Sequence, residues 1–246
     1  MKGSDGQVNN QVGGLLSSDL PFLVTASHEL KSPLALMRQL ALGLESGQVD
    51  QATRDRMLRQ IVLTSERALR LTTDLSRSSR LEDSIFDLEP INPQQLCEDV
   101  AHELSPLYAA RGRKIQVASH RGSMLVVANY DLLRRIMLNF GDNALHYSDG
   151  SAPVELRARV SDKGKRVRLG VRDYGPAVPV NAWRRLQQHL GTDAQVLHSR
   201  PQSSGLGLYV AGQFAQVMHG EIGATRHRDG ATFYVDIDAS TQLKLL

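Results

Sequence analysis

A heptad pattern of apolar residues runs through the first part of this 246-residue chain. Apolar side chains recur at two positions in each seven between residues 20 and 44, a spacing typical of a helix that packs lengthwise on another helix. One row contains Leu20, Ser27, Leu34 and Ala41, and the other contains Leu23, Leu30, Met37 and Leu44. The pattern predicts a long helix over about 18–45 and favours a helical bundle, with Gly47 suited to the helix end.

A second helix is predicted from about Gln51 to Glu82. Many arginines lie on one side of it, and the other side carries Leu58, Val62, Ser65, Leu69, Thr72 and Leu75. Two such helices form an antiparallel hairpin, whose apolar surface is too small to close a core of its own. Pairing with a second copy into a four-helix bundle solves this problem. We therefore expect a homodimer through residues 18–82, after a flexible leader over residues 1–17 that is rich in Gly, Asn, Gln and Ser.

The stretch from Ser27 to Leu34 places a proline inside the first predicted helix. A proline there costs about 3 kcal/mol because one backbone hydrogen bond is lost, so it is rarely incidental. His28 lies one position off the heptad rows, which predicts an outward, solvent-accessible imidazole. Taken alone, an ordinary surface histidine is the simpler interpretation.

The rest of the chain has the pattern of an α/β domain over 86–240, joined to the hairpin by a linker at 83–85. Helices are predicted from Pro93, over about 131–147, and after the glycines near residue 205, each with apolar residues at helical spacing. Strands are predicted at residues 114–119, 125–127, 154–160, 167–171, 221–224 and 231–238. Together these strands predict a mixed sheet.

Two asparagines stand out in the predicted helix over 131–147. Asn139 and Asn143 lie one turn apart on the same face, although asparagine is a poor helix former. Amide oxygens suit a magnesium ion that also holds nucleotide phosphates and water. A solvated polar face is the alternative that these residues leave open.

Two glycine-containing segments add further polar features. Asp173 and Gly175 follow a predicted strand, where a carboxylate can accept the amino group of adenine and a glycine permits close approach of a ligand. An ordinary turn is the alternative. Residues 203–208 open an amphipathic helix, whose backbone N–H groups suit an anion such as a polyphosphate.

In this order the segments resemble the motifs of a sensor histidine kinase core over residues 20–238. The string from His28 to Pro33 is similar to the phosphoacceptor box of that family, with Ser32 where threonine or asparagine is usual. The resemblance implies an α+β fold. An antiparallel helical hairpin would form a dimeric four-helix bundle, followed by an α/β sandwich ATP-binding domain of the kind shared with gyrase-type and chaperone ATPases.

The resemblance also implies roles for individual residues. His28 would accept the γ-phosphoryl group of ATP, Glu29 would act as the neighbouring acid/base, and Ser32 would take part in dephosphorylating the regulator. For Ser32, a helix hydroxyl that bonds back to a backbone carbonyl is the alternative. Within the nucleotide site, Asn139 and Asn143 would hold magnesium. The full set of nucleotide-binding residues that it implies is Asn139, Asn143, His146, Tyr147, Asp173, Gly175, Arg200, Gly205, Leu206, Gly207 and Leu208.

The function implied is that of an ATP-dependent protein-histidine kinase. It would autophosphorylate with ATP and Mg²⁺ and pass the phosphoryl group to an aspartate of a response regulator receiver domain. A net charge of +3 is too small for a nucleic-acid-binding surface, so we expect no nucleic-acid partner. No apolar run approaches the ~18 residues of a membrane span, and the polar start is unlike a signal peptide. We expect a cytoplasmic protein or the cytoplasmic part of a membrane-bound sensor.

Two departures from the family pattern leave another function open. Ala177 stands where a second glycine is common, and Trp183 lies in a segment that replaces a phenylalanine-containing part of the lid. If the loop requires a positive φ at Ala177, the strain would weaken ATP binding about tenfold. A degenerate kinase that acts mainly as a regulator phosphatase or a dimeric docking scaffold is the alternative. Trp183 itself is predicted to pack in the core or beneath the lid.

Overall fold

The computed structural model shows a helical hairpin followed by an α/β domain, as predicted. It describes residues 9–47, 49–78, 86–118, 124–149, 152–191 and 206–240. The predicted linker at 83–85 and two predicted site residues, Arg200 and Gly205, lie outside the described residues.

Helices α1 (Asn9–Glu45) and α2 (Gln51–Ser78) form the hairpin. Asp50 caps the N-terminus of α2, because its Oδ1 accepts a hydrogen bond from the Thr53 backbone N–H at 2.8 Å. The flexible leader predicted over 1–17 is wrong for residues 9–17, which are helical. Extending an existing helix adds one hydrogen bond for each residue ordered, so polar residues of weak helix propensity can continue it.

One side of the hairpin remains uncovered in a single chain. On α1, Leu30, Met37 and Leu44 of one heptad row are half-buried, whereas Leu34 and Ala41 of the other row are exposed. Among the residues of the two helices whose burial the structure describes, the large apolar side chains that are exposed are Val24, Leu34, Leu42, Leu58, Val62 and Leu69. A surface of this kind is available to another helix.

The α/β domain places helices against one mixed sheet. The elements in chain order are β1 (Glu89–Ile91), α3 (Pro93–Ala110), β2 (Ile115–Val117), β3 (Val126–Ala128), α4 (Tyr130–Tyr147), β4 (Val154–Ser161), β5 (Arg166–Arg172), α5 (Val180–His189), α6 (Leu206–Val217), β6 (Glu221–His227) and β7 (Gly230–Asp238). Five strands run in the order β2-β4-β5-β7-β6, with β2 parallel to β4 and the other neighbours antiparallel. Strands β1 and β3 form a separate antiparallel pair.

Helix α4 is held close to α3 by a glycine and a tyrosine. A Cβ at Gly141 would collide with the Leu104 side chain, so glycine permits the short distance between the two helices. The Tyr108 hydroxyl donates to the Gly141 carbonyl oxygen at 2.8 Å, in a buried position. Alternating strand residues such as Leu156 and Leu169 are fully buried in the core. This packing fixes which face of α4 is left for polar side chains.

Candidate functional site

A polar stripe runs along α4 opposite its buried apolar side chains. Asn139, Asn143, His146 and Tyr147 are all half-buried there, as expected from their helical spacing. The Nδ2 atom of Asn139 and the Oδ1 atom of the neighbouring Asp142 are buried and have no hydrogen-bond partner within the described residues. Buried polar atoms usually have partners, so these two atoms are candidates for ligand contact.

Asp173 lies directly after β5 and is almost completely buried. Both of its carboxylate oxygens accept from the Ala231 backbone N–H, at 3.2 Å each. Burial raises the pKa of Asp173 to about 6. The neighbouring Arg172 donates to the Asp229 carboxylate, which ties β5 to the turn before β7. The carboxylate is therefore held in place by the sheet.

The segment after Asp173 is attached to the end of α4. The Ser148 hydroxyl and the Asp149 backbone N–H both donate to the Tyr174 carbonyl oxygen, at 3.0 Å each. A Cβ at Gly175 would collide with the carbonyl oxygen of Tyr147. Only glycine fits this approach, and it brings Tyr147 and Asp173 to the same end of the stripe.

The start of α6 lies beside the other end of the stripe. A Cβ built at Gly207 would be 3.9 Å from the Cβ and Cγ atoms of Asn139. Leu206 and Leu208 on either side of this glycine are buried in the core and anchor the first turn. The structure thus brings together all the described residues that the sequence assigned to the nucleotide site.

The chemistry of this residue set fits a nucleotide with a magnesium ion. Asn139 and Asn143 present amide oxygens, which are hard ligands suited to magnesium. Asp173 is an acceptor for an amino group, and the start of α6 is a place where backbone N–H groups favour phosphate. The buried Asn139 Nδ2 atom without a partner agrees with a ligand that completes the site.

The predicted phosphoacceptor lies on the hairpin rather than in this site. His28 and Ser32 are exposed and one turn apart on α1, and Glu29 is half-buried. The exposure of His28 agrees with the prediction from its heptad position. None of these observations tests the roles implied for the three residues, which remain predictions.

Helix α2 connects the hairpin to the polar stripe. The Arg67 Nη1 atom lies 2.5 Å from Nε2 of His146, and its Nε atom lies 3.9 Å from Oδ2 of Asp142. Burial lowers the pKa of His146 to about 3, and the charges of Arg67 and Arg111 act in the same direction. Because arginine stays protonated, the neutral imidazole accepts at Nε2 and carries its hydrogen on Nδ1.

The loop at Ala177 does not require a glycine. Within the described residues, positive φ outside glycine occurs at Asp162, Lys163 and His219, and Ala177 is not among them. The strain considered for Ala177 is therefore absent, because the backbone there lies in a region open to any L-residue. Trp183 is buried on α5, which confirms its predicted packing role.

Several known proteins are similar to this chain. Residues 128–241 match the family described as "Histidine kinase-, DNA gyrase B-, and HSP90-like ATPase". The sensor protein kinase PmrB of Pseudomonas aeruginosa is 29% identical over 219 residues, covering 86% of this chain and 43% of PmrB. The sensor protein CutS of Streptomyces coelicolor is 30% identical over 219 residues, covering 85% of this chain and 50% of CutS. The matched family and these relatives support a sensor histidine kinase core in this chain.

Solved structures agree with this kinase core at the level of the fold. Full-length ShkA in complex with AMPPNP is similar with a TM-score of 0.61 at 24% identity, covering 90% of this chain and 47% of that one. The Acinetobacter baumannii histidine kinase AdeS has a TM-score of 0.57 at 18% identity, covering 86% of this chain and 97% of that one. The chain spans about half the length, or less, of the curated relatives named above. Within the described part of this kinase core, none of the helices is both long enough and apolar enough to cross a membrane.

Three arginines at or beside the site, which the sequence did not predict to take part in it, form ion pairs with distant segments. They are Arg67 and Arg70 on α2 and Arg172 on β5. The arginine-rich side of α2 was visible in the sequence, but the spacing of arginines along one helix cannot indicate which distant element they contact. Arg172 lies next to Asp173, and only the sheet register reveals its contact with Asp229.

Proposed function

We propose that this chain is an ATP-dependent protein-histidine kinase that phosphorylates His28 and transfers the phosphoryl group to an aspartate of a response regulator. The observation that carries the proposal is the contact between Arg67 and His146, which joins the hairpin bearing an exposed His28 to the polar stripe of the ATPase domain. A histidine acceptor needs access to solvent and to a nucleotide site, and this arrangement supports both requirements.

The proposed site uses residues from three elements. Asn139 and Asn143 would hold a magnesium ion, which supplies charge neutralisation for the phosphates when bound. Asp173 would accept the amino group of adenine, and Tyr147 would stack on the base. Gly207 would let the α6 backbone approach the phosphates, together with Gly205 and Arg200 from the segment before it.

The transfer requires a neutral nucleophilic nitrogen at His28. One ring nitrogen would form a bond to the γ-phosphorus as the bond from that phosphorus to the bridging oxygen breaks, releasing ADP. The ring proton on the other nitrogen would then leave to a carboxylate, for which Glu29 is the nearest candidate in the sequence. In the second step the phosphoryl group would pass from His28 to an aspartate oxygen of the receiver domain.

A homodimer is part of the proposal. The apolar side chains of Leu34, Val62 and Leu69 are exposed on the hairpin, and each is about half or more accessible. A second copy of the hairpin would cover them in a four-helix bundle. The relatives named as sensor kinases support a response regulator as the partner of the phosphorylated form.

Incubation with γ-labelled ATP and magnesium tests the proposal. We expect label that is stable to base and labile to acid, as for a phosphohistidine. His28→Gln should abolish the label and leave nucleotide binding intact, whereas Asn139→Ala should remove magnesium-dependent ATP binding. Label that survives His28→Gln would place the acceptor elsewhere, and unchanged binding in Asn139→Ala would reject the magnesium site.

The alternative of a degenerate kinase has lost its main support. It relied on strain at Ala177, where the backbone is ordinary. A phosphatase activity toward the regulator remains compatible with the kinase, since Ser32 lies one turn from His28 on the same exposed face.

A further inference from the structure

Positive charge gathers where α2 meets the polar stripe. Arg67 approaches Asp142 at 3.9 Å, and the Arg70 Nη2 atom approaches the same carboxylate oxygen at 3.8 Å. The Arg70 Nη1 atom also lies 3.6 Å from Oε1 of Glu103, and Glu103 forms a second ion pair with Arg134. Each of the two carboxylates is therefore shared between two guanidinium groups.

A further cation reaches the same place from the end of α3. Burial and then the charge of Arg67 lower the pKa of Arg111, so this guanidinium lies within electrostatic reach of Arg67. Like charges held together on a partly buried surface repel one another unless an anion joins them. The cluster of Arg67, Arg70 and Arg111 thus has an excess of positive charge beside His146.

The position of Arg67 is not explained by a role in holding the α/β domain against α2. Two ion pairs farther along α2 already hold the domain there: the Arg77 Nη1 atom lies 3.6 Å from Oδ2 of Asp131, and Asp74 is paired with Arg135. Each of these joins one cation to one anion. Arg67 instead contacts the neutral imidazole of His146 and lies 3.9 Å from the Asp142 carboxylate, which it shares with Arg70. Its positive charge is therefore poorly compensated.

We propose that Arg67 is a triphosphate-binding residue that the hairpin contributes to the nucleotide site, an inference that rests on the proposed function. Its contact partner His146 lies on the α4 stripe one turn from Asn143, the residue assigned to magnesium. A guanidinium is well suited to phosphate oxygens, because it presents several N–H donors in one plane. His146 is uncharged, so Arg67 supplies the positive charge at this position.

A close contact between α1 and α2 shows how far Arg67 lies from His28 along the hairpin. A Cβ at Gly43 on α1 would be 2.6 Å from Cε of Met57 on α2, which sets the relative height of the two helices. Because the two helices are antiparallel, counting back along α1 from Gly43 and forward along α2 from Met57 by the same number of residues places His28 at the height of Thr72. At about 1.5 Å per residue, Arg67 lies about 8 Å from the height of His28. A nucleotide held by Arg67 would therefore lie near the height of the phosphoacceptor along the hairpin.

Nucleotide titration with magnesium tests the assignment. The full chain and its variants would be titrated with a non-hydrolysable ATP analogue and, separately, with adenosine. Arg67→Ala should weaken binding of the analogue about tenfold and leave adenosine binding unchanged, because one charge-assisted contact to phosphate is lost. Arg67→Lys should recover part of the loss. The matched control is Arg77→Ala on the same helix as Arg67. It removes an ion pair to Asp131 of α4, and its affinity should stay within about twofold of that of the unaltered chain.

Three results would overturn the assignment. Wild-type affinity in Arg67→Ala would show that the guanidinium does not meet the phosphates. An equal loss in Arg67→Ala and Arg77→Ala would mean that both act only by holding the domain on α2. Tighter binding in Arg67→Ala would mean that the arginine occupies the space the nucleotide needs. Asn143→Ala separates this proposal from the nucleotide site itself: if that variant loses binding while Arg67→Ala does not, the site stands and only Arg67 is wrongly assigned.

Discussion

Replacing Asp173 with asparagine should stabilise the protein while weakening its binding of ATP. The folded-state pKa of this carboxyl is about 6, above the ordinary value of 3.8, chiefly because the group is buried. Arg172 acts to lower the pKa and Asp229 to raise it, so the nearby charges oppose one another. An ionised carboxylate at this position therefore opposes folding once the pH exceeds about 6.

The magnitude follows from the two pKa values. A carboxyl whose pKa rises on folding favours the folded state below pH 4, and this contribution is lost as the pH increases toward 6. At about 1.4 kcal/mol per pKa unit, the loss is up to about 3 kcal/mol. The asparagine side chain of the variant would not titrate. The difference in unfolding free energy between Asp173→Asn and the unaltered chain should thus grow by up to about 3 kcal/mol between pH 4 and pH 6.5, then remain constant.

Chemical denaturation at a series of pH values measures this difference directly. The new amide can also change the unfolding free energy by an amount that does not depend on pH. This amount cancels, because only the change of the difference with pH is compared. Nucleotide titrations on the same samples should show the opposite sign. The unaltered chain should lose about tenfold in ATP affinity from pH 7.5 to pH 5, as the ionised fraction of Asp173 falls. The Asp173→Asn variant should bind ATP weakly at both pH values, without this tenfold change.

Two outcomes would refute the reasoning. A stability difference that does not vary with pH would mean that Asp173 ionises at an ordinary pKa despite its burial. A difference that shrinks as the pH increases would mean that the hydrogen bonds from Ala231 and the charge of Arg172 stabilise the carboxylate more than burial penalises it.

Three other changes give separate tests. Ser32→Ala should lower dephosphorylation of the regulator more than labelling of His28, and an equal loss of both activities would indicate a folding defect. Leu69→Glu should shift the protein from dimer to monomer in sedimentation at unchanged ATP affinity, since this side chain is 67% exposed in the single chain; a persisting dimer would place the interface elsewhere. Ala177→Gly should leave ATP affinity unchanged in titration, because Ala177 has no positive φ to relieve, and a tenfold gain would contradict the loop geometry.

The order of helices and strands could be predicted because it depends on local periodicity. Heptad spacing indicated α1, and alternation indicated the β4–β5 hairpin, since each pattern reflects which face of one element is buried. The stripe formed by Asn139 and Asn143 was predictable for the same reason. The start of α1 was not, because the composition of residues 9–17 indicated flexibility whereas the helix that follows extends through them.

The sequence by itself thus determined the order of helices and strands, the polar face of α4 and the exposure of His28, all of which follow from the period of a single helix or strand. Only the tertiary structure decided how distant segments meet. The contact from Arg67 to His146 spans 79 residues, and the approach of Gly175 to Tyr147 depends on where β5 ends relative to α4. Ala177 shows the same limit, since its φ is set by a loop held between packed elements. Local patterns report burial, whereas contacts between elements depend on packing geometry, which no short stretch of residues contains.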